Sequence, residues 1–413
     1  MQNNPVSHSG GRLKSGIDFI SSCLIFLGIV LIPFSASLDN LLAVGALIYF
    51  VCNREPTFFR FCQRQPVVWL SLALIYLLFI GVLYSIADYG FAWHEFQKYS
   101  SKLIALVLLI VFFQCEHRRA LAEKLFIVSC LLMALILMLD TFHWIDIAAF
   151  FHKPSDHIFP PIQASVLLTY VLALLIIRGE SSDHRLLYAI LTVLLILFQV
   201  CVNIERTGMV CTFLLLGGFA WLRFPRWWFS IMVLSLLVAI SLAYALVPSF
   251  HQRVYTAYDD VVHYSDPAYT YHSVCLRLAF LEHSWALIKQ RPLLGYGTGS
   301  FPAAYVKTGG PNLAPQETVL GDPHNSYAHV GVQLGLLGLF LLLGWIAQFW
   351  RVSHFFSPAY RLRTQCGVII FAVSNMFIAG FCLNQTCYGF ILMMSIVLGK
   401  YYSVAKQTEV MAG

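Results

Sequence analysis

The sequence predicts an all-α polytopic membrane protein with about twelve transmembrane helices. The chain of 413 residues is 59% hydrophobic and only 11% charged, with a mean hydropathy of +0.73, whereas a soluble protein carries about 25% charged residues. Long apolar runs recur along the chain, which is typical of membrane-spanning segments. These runs are continuous rather than alternating, so they predict helices and not the strands of a β-barrel.

The apolar runs divide into twelve predicted spans. In chain order they are 17–37, 39–53, 66–86, 98–114, 119–139, 160–177, 186–203, 207–222, 227–247, 326–349, 364–383 and 386–402. The second and the eighth are shorter than the roughly 20 residues that cross a bilayer, so we expect them to be tilted or partly surrounded by protein. The first follows a polar start with Arg12 and Lys14 and is predicted to be a signal anchor.

The distribution of Lys and Arg predicts which connections face the cytoplasm. With the N-terminus inside, seventeen of the 26 Lys and Arg residues fall in inner segments and nine in outer ones. Both termini are therefore expected in the cytoplasm, and the connection between spans nine and ten outside. The net charge of +6 follows this topology and does not predict nucleic-acid binding.

One long polar segment, from about residue 250 to residue 338, separates the ninth span from the last three. It predicts three units: transmembrane helices one to nine in 1–247, an outer loop domain in 248–325, and helices ten to twelve with a cytoplasmic tail in 326–413. Other outer connections also carry acidic residues and histidines, whereas the inner connections are basic and short, so the outer face is where we expect function.

Two arginines are candidates for binding an anion at the outer face. Arg206 lies between two apolar runs with almost no connecting loop, which is typical of an interfacial arginine beside Glu205 or of one directed into a polar cavity. Arg277 lies where apolar residues recur at helical spacing, which predicts an amphipathic helix outside the membrane. A guanidinium suits phosphate oxygens, although Arg277 alone is also typical of a solvated or ion-paired residue.

The sequence Asp-Pro-His-Asn at 322–325 is the strongest candidate for a catalytic group. Pro323 disfavours a helical Asp322, and Asn325 is a suitable cap for the tenth span. His324 then lies at the outer mouth of that span and can take a proton near neutral pH, although a histidine at a cap is often structural. A base beside arginines suits group transfer from a lipid-linked phosphate, because the acceptor hydroxyl loses a proton and the leaving diphosphate needs positive charge.

The remaining motifs predict neither a cofactor nor a metal. The Gly-Tyr-Gly-Thr-Gly sequence at 295–299 lacks the Gly-Lys-Ser/Thr ending of a phosphate loop and is predicted to be a tight turn. His324 and His329 are five residues apart and do not share a helical face. The scattered outer histidines without ligand spacing are His143, His152 and His157. The eleven Cys include no CxxC pair and lie mostly in apolar spans as small hydrophobic residues.

Taken together, these residues resemble the O-antigen ligase superfamily. This group includes lipopolysaccharide O-antigen ligases, O-antigen polymerases of the Wzy type and bacterial O-oligosaccharyltransferases that glycosylate proteins. The likeness is carried by Arg277, Trp285, the sequence Arg-Pro-Leu-Leu-Gly-Tyr-Gly-Thr-Gly-Ser-Phe at 291–301, and His324-Asn325 followed by Gly-Leu-Leu-Gly at 335–338. The Arg-Thr-Gly sequence at 206–208 and the layout of spans extend it over most of the chain.

The resemblance implies an inverting, metal-independent glycosyltransferase of the GT-C type, in the bacterial inner membrane with its active site facing the periplasm. The donor would be a glycan on undecaprenyl diphosphate, and the acceptor would be the lipid A–core of lipopolysaccharide. His324 would match the family's general base, and Arg206 and Arg277 would match the arginines that bind the donor diphosphate. Candidates for supporting roles are Asn325, Tyr296 and Gln333, the last of which stands where the family often has Glu.

Several alternatives stay open at this point. The ligase is favoured because the chain is compact, but the polymerase and the protein O-oligosaccharyltransferase share its donor chemistry. A transporter predicts ionisable residues in mid-span, whereas polar residues here cluster outside; a structural membrane protein would leave His324 and the two arginines dispensable. We expect basic side chains to meet acceptor phosphates, the candidates being Arg253, Lys289, Arg291 and Lys307.

Overall fold

A computed structural model of the protein describes residues 7–35, 40–53, 56–147, 160–202, 205–269, 272–308 and 323–412, and in these ranges the regular structure is entirely helical. The helices are α1 (Ser7–Leu31), α2 (Asn40–Cys52), α3 (Pro56–Gln63), α4 (Pro66–Leu83), α5 (Tyr89–Phe112), α6 (Glu116–Thr141), α7 (Pro161–Ser181), α8 (Arg185–Cys201), α9 (Arg206–Arg223), α10 (Arg226–Leu246), α11 (Pro248–Val262), α12 (Ser273–Gln290), α13 (Phe301–Thr308), α14 (Ser326–Ser353), α15 (Pro358–Ser374) and α16 (Asn384–Ala412). Asp322, His152 and His157 lie outside the described residues.

The helices form a bundle in which α7 and α16 are innermost. In their most apolar stretches, 72% and 78% of the residues are buried, because each is apolar on all sides and packs against several other helices. The helix α10 lies at the edge, since its described side chains are exposed or half-buried. Buried polar contacts also join helices: the Trp345 indole donates to the Ser71 hydroxyl over 2.9 Å, which joins α14 to α4.

Five described helices are long and apolar enough to cross a bilayer, namely α4, α6, α7, α14 and most of α16. Parts of α10 and α11, which are bent by 94° at a short break, would together make a sixth span if they are counted as one. This is the pattern of a polytopic membrane protein. Each of the twelve predicted segments overlaps one helix of the bundle, but α1, α2 and α8 are apolar only over shorter stretches.

Two predicted spans differ from the structure in their interior or at their end. The segment 364–383 was expected to be one helix, but α15 ends at Ser374 and residues 375–383 form turns. The helix ends there because the Asn375 side chain bonds both the Phe371 carbonyl and the Phe381 amide, which offers the backbone an alternative to another helical turn. The tenth span is broken at Gly335, whose φ is 65°.

The segment predicted as the outer loop is largely helical in its described residues. It contains α11, α12 and α13 between α10 and α14. A second hydrophobic cluster holds this segment on the bundle, and its main members are Phe280, Leu287, Tyr296, Phe301, Tyr305 and Val332. The cluster joins α12 and α13 to the first half of α14, so it fixes the outer helices relative to the mouth of that span.

Candidate functional site

A cavity of about 330 Å³ lies where the outer helices meet the bundle. Its described lining includes Arg206, Arg277, His324 and Asn325, which come from three separate parts of the chain. The rest of the lining is Thr207, Val210, Ala257, Val274, Leu278, Leu281, Pro323, Met376 and Phe377. The structure therefore brings the three principal candidates of the sequence to one place. Their surroundings are mostly apolar, which strengthens electrostatic interactions inside the cavity.

Two helices position the arginines of the cavity. Arg206 is the first residue of α9, so the positive end of that helix dipole lies at the cavity. On α12, Val274, Arg277, Leu278 and Leu281 share one helical face because they are three or four residues apart. The opposite face of α12 is buried in the second cluster, so the rotation of the helix directs Arg277 into the cavity.

The positive charges at the cavity act on one another. Burial lowers the pKa of Arg277, and the positive charge of Arg206 lowers it further, whereas Glu205 opposes the shift. Burial also raises the pKa of Glu205, against the opposing effect of Arg253, Arg277 and Arg206. Asp260 and Glu205 also act on Arg206 and oppose the lowering of its pKa. The three arginines still outnumber the two carboxylates. This arrangement favours an anionic ligand.

Arg206 offers hydrogen-bond donors that the protein does not use. Its Nε and Nη1 atoms are buried, and the described residues provide them with no hydrogen-bond partner. Buried donors without partners are costly, and guanidinium N–H groups form strong charge-assisted hydrogen bonds to phosphate oxygens. The side chain is therefore prepared for an oxyanion rather than for an ion pair within the fold.

His324 has an unusual backbone conformation at the mouth of α14. Its φ is 52°, a left-handed conformation that costs a non-glycine residue roughly 1–2 kcal/mol. Its ring lies 6.2 Å from the Phe280 ring, centre to centre, in an edge contact. The next residue, Asn325, caps α14 by accepting from the Ala328 amide over 2.9 Å, as its sequence position predicts. Strained residues of this kind cluster at functional sites.

Tyr296 and Gln333 lie away from the cavity and hold the glycine-rich turn. The Tyr296 hydroxyl donates to Gln290 over 2.8 Å, and its ring lies under the Arg291 guanidinium at 4.7 Å. The side-chain carbonyl of the buried Gln333 accepts from the Gly299 backbone amide over 2.6 Å. The contacts assign both residues to the packing of this turn, and they place neither one at the cavity wall.

The turn at 295–299 uses its own amides inside the protein. The Tyr296 and Gly297 amides donate to the Val332 and Gln333 carbonyls, over 2.9 and 2.8 Å. The Thr298 amide donates to the Gly81 carbonyl of α4 over 3.0 Å. With Gly299 bonded to Gln333, these four amides are occupied, so they are not directed at a phosphate. The predicted tight turn is confirmed, and its role is to join the outer segment to α4 and α14.

The four basic residues expected to meet acceptor phosphates separate into two places. Arg253 lies one helical turn before Ala257, which lines the cavity, and its charge acts on Glu205. Lys289 lies over the Trp285 ring at 5.3 Å, and Arg291 lies over Tyr296, both at the end of α12. Lys307 is exposed in the last turn of α13. None of the four is among the described residues that line the cavity.

The sequence did not identify the wall formed by Met376 and Phe377. Both residues lie inside the predicted eleventh span, and the apolar run gave no sign that the helix ends before them. A buried charged group was also unexpected: Lys102 on α5 is fully buried, and Glu95 is 7% exposed. The available signal for the end of α15 was a polar residue, Asn375, within an apolar run, but the sequence does not show which groups its side chain bonds.

Among the described residues, no group of three or more His, Cys, Asp or Glu side chains is placed to hold a metal ion. The site thus consists of two arginines, a histidine and a helix N-terminus beside α11 and α12 of a polytopic membrane protein.

Comparison with known proteins finds one matching family model. Residues 191–343 match the family model described as O-antigen ligase. The matched segment starts in α8, ends in α14 and includes Arg206, Arg277 and His324. The resemblance to the O-antigen ligase and polymerase superfamily is therefore confirmed over this segment. No curated protein sequence matches the chain.

Proposed function

We propose that this protein is a lipopolysaccharide O-antigen ligase, which transfers a glycan from undecaprenyl diphosphate to lipid A–core. The observation that carries the proposal is the cavity that Arg206, Arg277 and His324 line together. It lies within the segment that matches the O-antigen ligase family. A cavity that combines a base with clustered arginines suits a reaction in which a hydroxyl loses a proton and a diphosphate leaves.

In the proposed reaction, His324 takes the proton of the acceptor hydroxyl while its oxygen forms a bond to the anomeric carbon of the donor. The bond from that carbon to the diphosphate oxygen breaks, and the electron pair leaves with undecaprenyl diphosphate. Attack from the face opposite the leaving group inverts the anomeric configuration. Arg206 and Arg277 bind the diphosphate and stabilise its developing charge, so the step needs no metal ion.

For the membrane arrangement, we propose twelve spans of the GT-C type, with both termini in the cytoplasm of a bacterium and the cavity facing the periplasm. The units are 1–247, 248–325 and 326–413, as the sequence suggests. The overlap of each predicted segment with one helix supports this arrangement. The exposed apolar face of α11, which includes Val254, Tyr255 and Tyr258, suits a helix that lies at the membrane surface. Both lipid substrates would then reach the cavity from the outer leaflet.

For the acceptor, we propose that Lys289, Arg291 and Lys307 meet core phosphates, whereas Arg253 belongs with the donor arginines. We divide them in this way because Arg253 is the one residue of these four whose charge acts on Glu205, as the charges of Arg206 and Arg277 do. Reversing the charge of Lys289 and Arg291 should raise the concentration of acceptor needed for transfer without altering donor binding. If the acceptor requirement stays the same, this part of the proposal is wrong.

The test of the proposal is a transfer reaction in liposomes that contain the purified protein, with EDTA present. Undecaprenyl-diphosphate glycan and lipopolysaccharide without O-antigen are supplied together, and then the acceptor is omitted. A glycan ladder on lipid A–core that requires the acceptor supports the ligase. Growth of the glycan on its lipid carrier without the acceptor would identify a polymerase instead, and no transfer of either kind would contradict the proposal.

A further inference from the structure

The turn segment 375–383 contacts the N-terminus of α14. It connects α15 to α16, and much of it is buried, with Asn375 at 1% and Phe381 at 2% exposure. Its first residues, Met376 and Phe377, form part of the cavity wall. The segment is therefore both a wall of the cavity and a support for the helix end that carries His324.

Four hydrogen bonds join this segment to the two residues that follow His324. The Asn325 side-chain amide donates to the Met376 carbonyl over 2.9 Å, and the Ser326 amide donates to the Asn375 carbonyl over 2.9 Å. The Ser326 hydroxyl accepts from the Phe381 amide over 3.1 Å and donates to the Ile378 carbonyl over 3.4 Å. These bonds fix the backbone immediately after His324.

Asn375 holds the segment in its own shape. Its Nδ2 donates to the Phe371 carbonyl over 2.6 Å, and its Oδ1 accepts from the Phe381 amide over 2.7 Å. The side chain thus joins the last turn of α15 to the far side of the segment. One donor and one acceptor on a short side chain are needed here, a combination that neither Ala, Leu nor an ionised Asp provides.

The far end of the segment is anchored on α5. The ammonium of Lys102 donates to the Cys382 carbonyl, and the Cys382 thiol contacts the Glu95 carboxylate over 3.6 Å. Lys98 pairs with the same carboxylate over 3.2 Å. Ionisable residues buried in a membrane bundle normally have a function, and the contacts of these residues are with the turn segment.

We propose that the turn segment 375–383 sets the position of His324 and that Asn375 is the positioning residue for the reaction. The left-handed backbone of His324 needs such support, because strained conformations persist only where the surrounding structure determines them. Asn375 acts through the bonds to Asn325 and Ser326, and it has no direct contact with the substrate in this account. The inference rests on the proposed function only for its kinetic consequence.

The kinetic test compares Asn375→Ala with the wild-type protein in the liposome transfer assay. A displacement of a catalytic group by about 1 Å costs up to roughly 100-fold in rate, so we expect kcat to fall about 10- to 100-fold. The KM for the donor should change less than threefold, because Arg206 and Arg277 stay in place. In a His324→Ala background, Asn375→Ala should cause no further loss, since its effect passes through His324.

A matched control is Ser71→Ala. It removes one buried hydrogen bond of the same helix, α14, at Trp345, far from His324. It should leave kcat within twofold. Ser326→Ala removes the two bonds of the Ser326 hydroxyl to the segment, and it should lower kcat in the same direction as Asn375→Ala. An equal loss in the Ser71 and Asn375 variants, or additive losses in the His324→Ala background, would overturn the proposal.

A second measurement needs no transfer activity. Diethyl pyrocarbonate modifies accessible imidazoles, and mass spectrometry of peptides follows the modification at His324. We expect Asn375→Ala to raise the rate at His324 at least threefold, whereas Ser71→Ala leaves it unchanged. If the wild-type protein transfers no glycan but the labelling responds in this way, the proposed function fails and the positioning inference stands. An unchanged labelling rate in folded Asn375→Ala would overturn the inference.

Discussion

Replacing Arg206 tests the electrostatic part of the site most sharply. Its Nε and Nη1 atoms are buried and have no hydrogen-bond partner among the described residues, so the substitution Arg206→Gln removes donors that the fold does not use. A hydrogen bond to a charged group contributes about 1.5–3 kcal/mol. Because the side chain as a whole is only half-buried, the lower value applies, and two such bonds contribute about 3 kcal/mol.

This free energy corresponds to a loss of about 100-fold in affinity for undecaprenyl diphosphate. Arg206→Lys keeps the charge but loses the planar pair of donors, so we expect a loss of about 10-fold. The assay is equilibrium binding of undecaprenyl diphosphate to purified protein in detergent at constant salt. Thermal unfolding of Arg206→Gln should be no easier than in the wild-type protein, because the change removes a buried charge.

The matched control is Lys289→Gln. This residue is also a cation of the outer segment, but its ammonium lies over Trp285 rather than in the cavity lining. We expect its affinity for undecaprenyl diphosphate to stay within twofold of the wild-type value. If Arg206→Gln binds within threefold of the wild-type protein, or if Lys289→Gln weakens binding equally, the assignment of the diphosphate to this cavity is refuted.

Three further substitutions give distinct outcomes. Glu205→Gln removes a negative charge beside the arginines and should tighten diphosphate binding severalfold. Burial raises the pKa of Glu205, so binding to the wild-type protein should also tighten as the pH falls through that pKa. This pH dependence of binding should vanish in the variant. Gly335→Ala should lower the thermal unfolding midpoint, because φ is 65° and the added Cβ would lie 2.3 Å from the Leu293 carbonyl oxygen; an unchanged midpoint would contradict the break in α14. Gln333→Leu leaves the Gly299 amide without its acceptor and should cost about 1–3 kcal/mol in unfolding by denaturant, with no effect on diphosphate affinity in the folded fraction.

Much of the fold could be predicted because apolar runs report burial in lipid directly. Each predicted span overlaps one helix, and the amphipathic spacing around Arg277 predicted α12. The interruptions were harder to predict. The turn segment 375–383 continues an apolar run, and its helix ends only because the Asn375 side chain bonds Phe371 and Phe381. Such a bond depends on tertiary contacts that periodicity does not contain.

The candidate site shows the same division. Arg206, Arg277 and His324 were selected from their residue types and from the family resemblance, and the structure places all three at one cavity. Their convergence could not be derived from spacing, because they lie on segments far apart in the chain. The resemblance also suggested Tyr296 and Gln333, which the structure places in the support of a turn. A motif alone does not separate residues that hold the fold from residues that face a ligand.

The central claim is that the cavity of Arg206, Arg277 and His324 is the place of glycan transfer, with His324 as the base. The most direct measurement is the single-turnover rate of transfer by His324→Ala in liposomes, with donor bound at saturation and EDTA present. General-base catalysis contributes about 10²–10⁴-fold, so the account predicts a loss of this size with donor affinity unchanged. A rate within fivefold of the wild-type rate, in a variant that is folded, would contradict it.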